Sequence, residues 1–163
     1  MRLSVYLLIG IGLTIFQSSI LSFLPIEFFK PDFGISLIIY TTLFLGPQSG
    51  LIATLILALF QEILSNAPHG SILFTKLSVL IIAIFLKKQL YIDSKYSFAY
   101  ICSGFVILES FLFMALSLLS KGETGNIINI IFYTLPNAVF TGFLSIFLFS
   151  FIGYLNMRLL SRE

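Results

Sequence analysis

Six side chains in this chain are placed where they need a chemical explanation: Glu62, His69, Lys76, Cys102, Glu109 and Asn137. Glu109 stands at the midpoint of an apolar run over 97–120, where a charge costs at least about 2.5–3.5 kcal/mol on insertion scales. Such a carboxylate must face a cavity, meet a partner or hold its proton. Both a structural hydrogen-bonding role and a functional one remain open, and Ser103, Ser110 and Ser117 on the same run offer a polar seam. Lys76 is about one and a half turns past Gly70, near one end of its own run, so its four-carbon stem can snorkel to the interface. Glu62 ends the preceding run at a similar expected depth, which suggests a Glu62–Lys76 pair. Asn137 follows Pro136, where capping or an interhelical bond accounts for it.

Several chemistries are set aside on the same residues. His69 and Glu62 are too few to hold a metal, and a single cysteine, Cys102, leaves no thiolate cluster or internal disulfide. No Ser-His-Asp set, HExxH or phosphate-cradling glycine loop occurs, so no catalytic residue, metal or cofactor is assigned and the chain reads as a non-enzyme. The 19 phenylalanines read as packing bulk. With a net charge of only +2 and no basic stripe, nucleic-acid binding is not expected.

The elements that must position these groups are membrane helices. The chain is 58% hydrophobic and 10% charged, with mean hydropathy +1.07; a soluble domain carries about 25% charge. Residues 3–26 are 24 uncharged residues behind Arg2, roughly 36 Å of helix. No small-x-small cleavage site follows, and the run reads as a retained first span. Residues 33–61 are 29 more, roughly 43 Å as one helix, which exceeds the ~30 Å hydrocarbon core. Gly46-Pro47-Gln48-Ser49-Gly50 interrupts this run, predicting a tight turn between two short helices, with one long kinked helix as the alternative. Further spans are expected over 71–86 and 97–120. Residues 126–135 read as a short interfacial segment, and Pro136 as the first turn of a final helix of about 22 residues.

The expectation is one polytopic all-α membrane domain over residues 1–163, a six-helix bundle, with five spans as the alternative. Six spans place Arg2, Lys87, Lys88, Lys95, Arg158 and Arg162 in the cytoplasm against Lys30 and Lys121 outside; five spans score the same six to two. Both put the 87–96 loop and the C-terminus in the cytoplasm, and six spans add the N-terminus.

In this order of features the chain resembles the rod shape-determining protein MreD family. The resemblance rests on Pro31-Asp32 opening the second helix, the glycine-containing turn from Gly46 to Gly50, and Glu62 followed by Gly70. The family usually has Asp at the position of Glu62. The resemblance implies a cytoplasmic (inner) membrane component of the lateral wall-elongation machinery, without turnover of its own. The implied partners are MreC, the actin-like MreB, the glycosyltransferase RodA, its transpeptidase and membrane lipid. It also implies a fold similar to the S components of energy-coupling vitamin transporters, and such a substrate-binding component is the alternative function. Pro31, Asp32, Gly46, Gly50, Glu62, Gly70, Lys76, Glu109 and Asn137 are the candidate structural or partner-contact residues.

Overall fold

The computed structural model describes residues 2–23, 32–65, 69–90, 92–121 and 127–159. Among them are six α-helices and no strand: α1 (Arg2–Phe23), α2 (Phe33–Tyr40), α3 (Pro47–Leu64), α4 (Ser71–Leu86), α5 (Lys95–Lys121) and α6 (Ile127–Leu159). Three stretches are long and apolar enough to cross a membrane, Pro47–Leu64, Lys95–Leu116 and Phe132–Met157. Shorter apolar helical stretches cover Ser4–Ser19, Phe33–Leu45 and Ser71–Leu86. Large apolar side chains cover the exterior, with Ile63, Phe85, Tyr100 and Val139 all strongly exposed. An apolar exterior of this kind, on helices of that length, points toward a lipid environment.

The shortest helix is the axis of the bundle. Every residue of α2 from Gly34 to Tyr40 is buried, and α2 touches each of the other five helices. Its sequence, FGISLIIY, is apolar on all sides and therefore suits a position with no solvent face. Ile35, Ile39, Val79, Ala83, Phe98 and Ile152 belong to the core that forms on one side of it, while Leu37, Ile38, Leu57 and Leu80 pack on the other.

The interrupted run over 33–61 is a helical hairpin and not one kinked helix. Asp32 starts α2 and accepts a hydrogen bond from Gln61 Nε2, near the end of α3, at 3.0 Å; this requires the chain to fold back on itself. The reversal is prepared by threonines. Thr41 and Thr42 turn their hydroxyls onto the carbonyls of Leu37 and Ile38 at 2.6–3.0 Å, which loosens the backbone ladder. The helix widens to a π segment over Thr41–Leu45, closed by Gly46 N–H on Thr41 C=O at 3.1 Å. Gly46 then takes φ +110°, a conformation side chains resist, and Pro47 opens α3. Gly50 lets the two arms close up: a Cβ there would sit 2.9 Å from Thr42 Cα.

The last helix differs from expectation. α6 begins at Ile127 and passes through Pro136 without a break, so 127–135 belongs to the last helix and is not a separate interfacial segment, Pro136 is not in a first turn and Asn137 is inside the helix rather than at a cap position. Proline removes one backbone bond, but continuing as helix satisfies all the other backbone groups of an apolar segment, which outweighs it where lipid offers no alternative partner.

α5 and α6 form the most extensive pairing in the molecule. A close approach allows it at Gly142, where a Cβ would collide with Ser103 Oγ and lie 3.3 Å from Ala99 O. Ser103 Oγ also donates to Ala138 C=O at 2.9 Å.

Candidate functional site

Asp32, Lys76 and Glu109 come from three different helices and meet at one point. The Lys76 ammonium contacts Asp32 Oδ2, and it lies 2.9 Å from Glu109 Oε1. Its side chain is 1% exposed, against 18% for Asp32 and 17% for Glu109. Lys76 does not snorkel, and its partner is not Glu62. Glu109 in turn is not a carboxylate without a cation.

Each helix delivers its residue for a local reason. Asp32 is the N-cap of α2, extended at φ −103° and ψ 93°, and its Oδ1 accepts from Ile35 N–H at 3.1 Å. An oxygen at this position satisfies an orphan donor and meets the positive end of the helix dipole. The same oxygen receives Gln61 from α3. The Asp32 amide donates to Thr141 Oγ1 of α6 at 3.1 Å, and the Phe33 amide to Gln17 Oε1 of α1 at 3.4 Å. All six helices therefore contribute to one polar layer.

Glu62 holds the entry of α4. Its carboxylate accepts from Gly70 N–H, and its Oε2 from Leu73 N–H at 3.3 Å. A carboxylate there satisfies first-turn donors and opposes the helix dipole. Gly70 sits at φ +84° immediately before the helix, a turn that places Lys76 six residues further on. Because Lys76 reaches Glu109, which is fourteen residues into α5, α4 starts at mid-height of α5. Counting depth from each helix's own end therefore misplaced Lys76.

Next to the charged layer runs a line of hydroxyls. Ser36 and Ser145 share a hydrogen bond of 2.8 Å, and Ser145 Oγ donates to Thr141 C=O at 2.6 Å. The Cys102 thiol lies against both serines and is fully buried. Ser110 bonds back to Val106 C=O at 3.0 Å. At the opposite end of α2, Tyr6 OH donates to Asn156 Oδ1, whose Nδ2 donates to Tyr40 OH at 3.3 Å. Tyr40 stacks on Phe44 at 4.8 Å, and Lys87 Nζ donates to Thr42 C=O at 3.3 Å. Gly46 and Gly50 belong to this second end.

Of the candidate residues, Asp32, Lys76 and Glu109 are assembled in one cluster, and Glu62 with Gly70 supports it. Asn137 is half-buried on α6, one turn from Thr141. Pro31 lies outside the described residues. Gln17, Gln61 and Thr141 are additions from the structure; for the two glutamines, a polar side chain near the end of an apolar run is the available signal in the sequence, while Thr141 lies mid-run and offers none. Among the described residues no group of three His, Cys, Asp or Glu side chains comes together as a metal site. The cluster can lock helices, balance charge and hold a proton. Compared with models of protein families, with curated proteins and with solved structures, the chain matches none.

Proposed function

We propose that the chain is a multi-pass inner-membrane scaffold of the bacterial cell-elongation machinery, of the MreD type, acting in cell-shape determination and lateral peptidoglycan synthesis without turnover of its own. One observation supports this reading most. The described residues that carry the family resemblance all serve to fix helices against one another: Asp32 caps α2 and holds Lys76, Gly46 and Gly50 form the hairpin, and Glu62 and Gly70 set the start of α4. A rigid bundle with an apolar exterior suits a protein that binds through helix faces, where close packing and a few polar contacts drive association in lipid. MreC is the first partner, with MreB, RodA and the elongation transpeptidase in the same assembly.

Six passes with both termini in the cytoplasm fit this reading. The basic residues Arg2, Lys87, Lys88, Lys95, Arg158 and Arg162 then face inward. In it the helical stretch Phe33–Leu45 would make a pass of only about 20 Å, buried by its neighbours from Gly34 to Thr42 and exposed at Phe44. Depletion in a rod-shaped host should round the cells while septation continues, and MreC should co-purify in mild detergent. Normal rods after complete depletion, with lost uptake of one vitamin, would instead establish a transporter S component.

A further inference from the structure

The charged cluster contains an imbalance. Two carboxylates, Asp32 and Glu109, share one ammonium, Lys76. The elements packed around them bring few other charges. α1 carries none from Leu3 to Phe23, and α2 none beyond Asp32 itself. α3 offers uncharged Gln61 and the acid Glu62, whose oxygens are occupied by Gly70 and Leu73 amides. α4 offers only Lys76, with His69 exposed ahead of it. α5 carries no charge but Glu109 between Lys95 and Lys121, and α6 none from Ile127 to Met157. Lys87 is bonded to Thr42 at the other end of α2. Glu27, Lys30, Glu123 and the side chains of Lys121 and Arg158 lie outside the described part.

The two acids are also provided for unequally. Asp32 receives donors from Ile35 N–H, Gln61 Nε2 and Lys76 Nζ, and it stands at a helix N-terminus; these donors favour an ionised carboxylate against the cost of its burial. Glu109 receives Lys76 on one oxygen. Two like charges on one site cannot both be kept in an apolar interior at low cost.

We propose that the Asp32–Lys76–Glu109 cluster is a binding site for one proton, held on Glu109 and exchangeable through the exposed edges of the two carboxylates. Asp32 stays ionised against Lys76, and the cluster is then neutral overall. This inference rests on the cluster alone and stands or falls independently of the elongation role.

The test uses the purified full chain in bilayer nanodiscs at neutral pH. Infrared spectra should show a protonated carboxyl C=O stretch that shifts in heavy water and is lost in Glu109→Gln. It should also be lost in Asp32→Asn, because the ammonium then has only Glu109 left to pair with. Lys76→Met should show about twice the wild-type amplitude, both acids now holding protons. Dicyclohexylcarbodiimide then locates the proton. The carboxyl O–H proton moves to a carbodiimide nitrogen while the oxygen bonds the central carbon. Acyl migration from oxygen to nitrogen leaves a stable acylurea with no atom lost and no redox change. Mass spectrometry should find the adduct on Glu109 and not on Asp32, with Asp32 becoming labelled in Lys76→Met. Absence of a protonated carboxyl band in the wild type overturns the site, and an adduct on Asp32 alone overturns its assignment to Glu109. Where neither residue is labelled, the infrared series decides by itself.

Discussion

Lys76→Met is the most informative single substitution in this chain. Methionine matches the length and apolar stem of lysine and removes only the ammonium. What remains is two carboxylates facing each other in a site whose central position is 1% exposed. Removing one partner of a buried ion pair typically costs about 3–5 kcal/mol, because the charge left behind has lost its compensation. Here Asp32 and Glu109 keep 18% and 17% exposure, and each can take up a proton, so the lower end applies, about 3 kcal/mol. For a chain of this length that corresponds to a fall of roughly 6–12 °C in Tm. The assay is the fraction of monodisperse protein after heating in mild detergent, read by size-exclusion chromatography.

The triple variant Asp32→Asn, Lys76→Met, Glu109→Gln separates charge from shape. Asparagine still caps α2 and still accepts from Gln61, and glutamine keeps a polar group on α5. Replacing a whole buried charged group by neutral isosteres is close to neutral, so the triple variant should recover to within about 1 kcal/mol of wild type. A Lys76→Met protein that melts within about 2 °C of wild type refutes the buried position of the ammonium. A triple variant no better than Lys76→Met refutes the argument from uncompensated charge.

Other outcomes follow from the same geometry. The charge exchange Glu62→Lys with Lys76→Glu should fail to restore what either single change loses, because Glu62 holds the α4 amides and not Lys76; a stability measurement on the three variants checks it. Glu62→Ala alone should cost about 1 kcal/mol through the unsatisfied first turn of α4. Gly50→Ala should cost about 1–3 kcal/mol by overpacking against Thr42 backbone, whereas Gly142→Ala should be rescued by Ser103→Ala, since the main obstacle there is a side-chain hydroxyl; a double-mutant cycle in detergent melts separates the two. A reporter active only in the periplasm should stay silent when fused after Glu163 or inserted at Gln48, and activity at either position would invert the orientation argued from the basic residues.

How much of this was legible in the sequence depends on whether the signal was local. The helix break at Gly46-Pro47, the starts of α4 and α5 and the apolar exterior each follow from a few consecutive residues, and the structure has them where expected. Pro136 is a misleading signal, because a proline that suits a helix start sits inside α6. In a segment as apolar as IINIIFYTL the alternative to helix is an unpaired backbone, so the proline was tolerated inside. Asp32 was noticed as part of a Pro-Asp pair, yet its cap geometry alone would have said more: a carboxylate that caps a buried helix is itself buried and needs a cation.

That requirement also shows how the cluster could have been found. Lys76 is the one cation that interrupts the apolar runs between Arg2 and Lys121 away from their ends, and among the described residues the acids on neighbouring helices that can face it are Asp32, Glu62 and Glu109. Glu62, placed just before the start of α4, is drawn to that helix's first amides, which leaves Asp32 and Glu109 for Lys76. The step that failed was assigning depth helix by helix. Lys76 is close to the start of α4 and Glu109 is in the middle of α5, and they were placed on different levels because each helix was assumed to begin at the membrane surface. α2 and α4 are short, 8 and 16 residues, while α5 runs 27 and α6 33. Helices of such unequal length cannot all share both a starting and an ending level, and the charged cluster lies where the short ones begin beside the middle of the long ones.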